Sequence, residues 1–79
     1  MLQVEVRGSL DQAPTLLKQL KKAGAKTAEG YALVPMRTAT GEASFIVMVE
    51  DSPNIAASLR HLPEVVEVYG DVPVAPFSG

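Results

Sequence analysis

Seventy-nine residues, 47% apolar with mean hydropathy +0.15 and no cysteine, describe one small foldable domain over 1–79 with neither a disulfide framework nor a thiolate zinc site. Seven basic against nine acidic residues leave a formal net charge of −2, which offers no general attraction for nucleic acid or anionic lipid, so neither is expected as a partner. A chain of this length buries only about 60–65% of its unfolded surface, and self-association would supply core that it lacks alone.

Leu2, Val4 and Val6 alternate with Gln3, Glu5 and Arg7, the period-two pattern of a strand with one buried and one solvated face. That opening has no apolar run of the kind a leader or membrane span needs, and a cytoplasmic location is expected. After Gly8 and Ser9, the residues Ala13, Leu16, Leu17 and Leu20 recur at helical spacing, Ala23 extends the stripe, and Gly24 supplies a C-cap. Ser9 and Gln12 have the spacing of a capping box, but a helix starting there would put Pro14 beyond its first turn, so Asp11 is the expected N-cap. Lys18, Lys21 and Lys22 crowd the helix C-terminus, where the dipole favours cations.

The run from Tyr31 to Met36 reads as a second strand, followed by a polar connection from Arg37 to Glu42, and Phe45, Val47 and Val49 make the apolar face of a third. Ser52 as N-cap with Pro53 at the first helical position opens a second helix, whose stripe is Ile55, Ala56, Leu59 and Leu62 before Pro63 ends it. Val66, Val68, Val72 and Val74 form a last extended segment interrupted at Gly70, with 72–79 as a proline-containing tail.

The order βαββαβ has a specific spatial solution: two split βαβ units, strand order 4-1-3-2, and two helices on one face of a four-stranded antiparallel sheet, the α+β ferredoxin-like sandwich. Proline tests it, because a residue that cannot donate to a ladder is confined to edges and bulges. Pro35 falls in the second strand and Pro73 and Pro76 in the fourth, the two edge positions. Leu17-Lys-Gln-Leu20 and Leu59-Arg-His-Leu62 echo each other as the pseudo-twofold halves of such a fold would.

Groups for catalysis are scarce, and no enzyme activity, metal or cofactor is expected. His61, the single histidine, sits beside Arg60 in the last helical turn, where a cation is favoured, and no second histidine or cysteine can join it as a ligand. Glu50 and Asp51 read as acidic residues ahead of a helix N-terminus. Copper-chaperone-like domains need two cysteines in the first loop, RNA-recognition motifs need aromatics on the open face, and acylphosphatases need an arginine in the first loop. This chain has none of these at those places. Ile46 and Met48, opposite the buried side of the third strand, place apolar residues on a sheet face that is normally polar, and Tyr31, Leu33 and Tyr69 can enlarge that patch into a homo-oligomer interface.

The segment from Val4 to Gly24 resembles the opening of an ACT domain, in which a strand leads to an aspartate and a proline-containing turn, then to a Leu-rich helix ending in Ala-Gly. Phe45-Ile-Val-Met-Val-Glu-Asp and Val66-Glu-Val-Tyr are similar to that family's third and fourth strands, while Thr15 stands where the family usually has glycine. The resemblance implies a stand-alone, non-catalytic regulatory domain that self-associates and binds an amino acid or similar small metabolite at Gly8, Ser9, Leu10, Asp11 and Gln12. Backbone N–H groups at the helix start would take the carboxylate and Asp11 the ammonium. Leu62-Pro-Glu-Val-Val-Glu-Val-Tyr and the following Gly70-Asp-Val-Pro-Val also resemble the end of subtilisin-propeptide-like inhibitors and folding chaperones. The same string resembles Lrp-type effector domains, displaced by half a domain. A pure assembly module is the remaining alternative.

Overall fold

A computed structural model of the chain describes residues 1–28 and 30–70. Its elements are β1 (Leu2–Arg7), α1 (Ala13–Lys22), β2 (Val34–Arg37), β3 (Ala43–Val49), α2 (Ile55–Arg60) and β4 (Val65–Tyr69). All strand pairs are antiparallel, in the order β2-β3-β1-β4, which is 4-1-3-2 read from the other edge. This is the α+β ferredoxin-like sandwich that the element order and Pro35 anticipate. Pro73 and Pro76, together with Val72, Val74 and the rest of the tail, lie outside the described residues.

The core forms where the two helices press on the sheet. Val4 and Val6 of β1, Phe45, Val47 and Val49 of β3, Leu20 of α1 and Leu59 of α2 are its largest fully buried side chains. Leu16 and Leu17 are half-buried against that cluster, so α1 seats one side of its stripe deeply and leaves the other at the margin. Gly24 ends α1 as expected, at a left-handed φ of 100°.

Four boundaries differ from the sequence expectation, each for a local reason. The chain enters α1 through a 3-10 turn at Leu10–Gln12, so the α-helix proper begins later and Pro14 falls in its first turn. The Ser9–Gln12 capping box therefore forms after all: Ser9 N–H donates to Gln12 Oε1 at 3.0 Å, and Asp11 is not the N-cap. β2 begins at Val34 rather than Tyr31. Thr27 bridges Val49 and Ala28 N–H reaches Met48 O, whereas the ladder resumes only with Val34 opposite Ile46, leaving Tyr31 and Leu33 outside the strand.

α2 starts at Ile55, not after Ser52. Ser52 O accepts from Ile55 N–H at 3.2 Å across a tight turn that puts Asn54 at φ 68°, a conformation that asparagine tolerates. The helix ends at Arg60, and Leu62 packs against the core from beyond it. In β4 the buried residues are Val65 and Val68, because a bulge opposite Glu5 and Val6 takes Val66 out of phase.

Candidate functional site

The order of strands brings distant parts of the chain to one end of the sheet. Arg7 is paired with Ser44, and Gly8 N–H continues the ladder to Ala43 O at 2.9 Å, so the loop leaving β1 lies over the start of β3 and the end of β2. Between them opens a wide-mouthed cleft of about 480 Å³, lined by Ser9, Leu10 and Asp11 on one wall and by Pro35, Met36, Arg37, Ala43 and Ser44 on the other. That is a volume in the range of small-molecule sites.

Three of the five expected ligand residues line this cleft, and the other two build it. Gly8 sits at φ 141°, and a Cβ there would stand 2.7 Å from Leu16 Cδ1 and 2.9 Å from Gln12 Oε1. The backbone conformation there favours glycine, and an added side chain would make Leu16 and Gln12 shift. Gln12 spends its side-chain carbonyl on Ser9 N–H. Asp11 has no hydrogen bond or ion pair among the described residues, and Arg37 commits only Nη1, to Gly41 O at 2.8 Å.

Cross-strand partners share a face, so Val34, Ile46, Glu5 and Glu67 form one row across the side away from the helices, flanked by Met36, Ser44 and Arg7 and by Met48, Gln3 and Tyr69. The β2–β3 half of this face is apolar and the β1–β4 half is polar and acidic. Ile46 and Met48 lie there as expected, but Ile46 is only 8% exposed, and the outer apolar surface comes from Val34 and Met36, at 50% and 43%. Tyr31 is exposed ahead of β2, and Leu33 packs against the core cluster instead of joining this face.

Glu5 is the unusual member of that face. It is 5% exposed, and its carboxylate accepts from Ser44 Oγ at 2.7 Å and from Tyr69 OH at 3.2 Å. Two hydroxyls thus replace the water that it loses, as a buried carboxylate requires. Glu67 opposite is a like charge, drawn off by Arg60 at 3.7 Å. Desolvation, the hydrogen bond to Glu5 and the charges of Glu5 and Glu67 hold the Tyr69 phenol above its usual pKa.

Both sheet edges are blunted. Glu67 and Tyr69 face β1, so the Val68 carbonyl points to the free edge of β4, where Arg60 Nη2 donates to it at 2.9 Å. Thr38 N–H reaches Glu42 O at 2.8 Å, which by alternation turns residues 35 and 37 outward, and Pro35 has no N–H to offer there.

Among the described residues no group of His, Cys, Asp or Glu is placed to hold a metal ion, and no helix is long and apolar enough to cross a membrane. Comparison with models of known families, with characterised proteins and with solved structures returns no match to this chain.

Proposed function

We propose that this domain is a non-catalytic regulatory module of ACT-like type, which binds an amino acid or similar small metabolite in the cleft between the β1–α1 loop and the end of β2, and self-associates through the β2–β3 half of its open face. The observation that carries the reading is that Ser9, Leu10 and Asp11, the loop residues which the resemblance implicates, line a cleft of metabolite size instead of merely starting a helix. Asp11 is not the N-cap, so capping does not account for its carboxylate.

Self-association has its own support. Arg60 and Pro35 protect the two edges, while Val34 and Met36 remain exposed beside Ile46 and Met48, an apolar strip rimmed by polar residues. Calorimetric titration of the assembled protein with the standard amino acids tests the binding. Saturable heat with at least one at or below millimolar concentration is expected, and none with any of them rejects ligand sensing. Met48→Glu is expected to yield monomers in analytical ultracentrifugation; an unchanged assembly would refute the face contact. A dimer without ligand would be a pure assembly module.

A further inference from the structure

An amino acid in the cleft needs a donor for its carboxylate, and the β1–α1 loop has already spent most of its own. Gly8 N–H is bonded to Ala43 O at 2.9 Å, Ser9 N–H to Gln12 Oε1 at 3.0 Å, Gln12 N–H to Ser9 O at 3.0 Å, and Ala13 N–H to Leu10 O. That leaves Leu10 and Asp11 N–H as the loop's donors, and the full charge that a carboxylate calls for comes from the facing wall. There Arg37 brings the cleft's one cationic side chain among the described residues, with a guanidinium that has further N–H groups beyond the single bond to Gly41 O.

Asp11 and Arg37 line the same cleft from opposite walls, and they form no salt bridge with each other. Two charges of opposite sign in the lining of one cleft, neither paired with another charge, match a ligand that carries both signs. Leu10, exposed at 44%, adds apolar surface on the loop wall beside Asp11.

We propose that Arg37 and Asp11 are the two poles of a zwitterion clamp, Arg37 binding the carboxylate and Asp11 the ammonium of a free α-amino acid whose aliphatic side chain rests on Leu10. This rests on the small-molecule reading above and assigns the residues that hold the ligand's two charged ends. A guanidinium forks onto a carboxylate with directed, charge-assisted bonds, and a carboxylate accepts from an ammonium in the same manner.

The test is calorimetric titration of L-leucine, L-leucinamide, N-acetyl-L-leucine and L-glutamate into the wild-type protein, Asp11→Asn and Arg37→Gln, with circular dichroism to verify folding. L-leucine is expected to bind, and blocking either end to weaken it about tenfold or more, as the loss of a charge-assisted bond does. The penalty for acetylation should vanish in Asp11→Asn and that for amidation in Arg37→Gln, since each variant has already lost that partner. L-leucine binding unchanged in both variants overturns the clamp and leaves the cleft reading standing. Tighter binding of L-glutamate than of L-leucine overturns the aliphatic assignment. No binding of any amino acid to the wild type overturns the cleft reading itself.

Discussion

Replacing Gly8 with alanine probes the loop that shapes the cleft. At φ 141° the backbone occupies a region essentially reserved for glycine, and forcing a side chain into it costs about 1–3 kcal/mol. The new Cβ would meet Gln12 Oε1 at 2.9 Å and push it off Ser9 N–H, about 1 kcal/mol more, and Leu16 Cδ1 at 2.7 Å, which yields by a rotamer shift of about 0.5–1.5 kcal/mol. The total, about 2.5–5.5 kcal/mol, is a large share of the stability of a domain this size, which at about 0.05–0.15 kcal/mol per residue amounts to about 4–12 kcal/mol. Gly41→Ala is the control. Gly41 has φ 87° but nothing within 4 Å of the added carbon, so about 1 kcal/mol is expected. Urea unfolding of both variants, read at unchanged m-value, decides the matter. Equal destabilisation within about 0.5 kcal/mol would refute the close-packed loop.

Leu59→Ala, which empties a fully buried site under the sheet, is expected to cost about 2–5 kcal/mol in the same assay, and a loss below about 1 kcal/mol would place Leu59 outside the core. Because the Tyr69 phenol is held above its reference value of 10.0, its contribution to stability is fully present below that pH and is lost as pH rises through the folded value. Stability should therefore fall more steeply above about pH 10 in the wild type than in Tyr69→Phe, and parallel curves from chemical denaturation would contradict the Glu5–Tyr69 pairing. Arg60→Ala uncovers the Val68 carbonyl, and light scattering should then show concentration-dependent growth of assemblies; scattering like that of the wild type would mean that the edge is guarded otherwise.

Much of this architecture is legible in the sequence because two independent signals agree. The alternation of Leu2, Val4 and Val6 and of Phe45, Val47 and Val49 marks the two central strands, and Pro35 marks an edge. What was hidden depends on geometry beyond local pattern. The 3-10 turn that rescues the Ser9–Gln12 box changes where Pro14 falls by a few residues, and no propensity distinguishes it from a plain helix start. Val65 displaces Val66 from the core through a bulge, which a run of valines conceals. The left-handed Asn54 moves the start of α2 past an otherwise persuasive Ser52-Pro53.

The loop wall of the cleft is legible in Ser9, Leu10 and Asp11, whereas in sequence Arg37 belongs to a polar connection and Met36 to a strand. A signal for them existed in the topology. Strand order 4-1-3-2 sets the end of the first strand beside the start of the third, and the hairpin then carries the end of the second strand to the same place.

Amide chemical-shift mapping during titration with the amino acid that calorimetry selects tests the central claim most directly. Ligand binding in the cleft predicts that the largest shifts fall on Ser9, Leu10, Asp11, Met36 and Arg37, which meet only through the fold. Shifts centred instead on Ile46, Met48 and Tyr69 of the open face, or no shifts at saturating ligand, would contradict it.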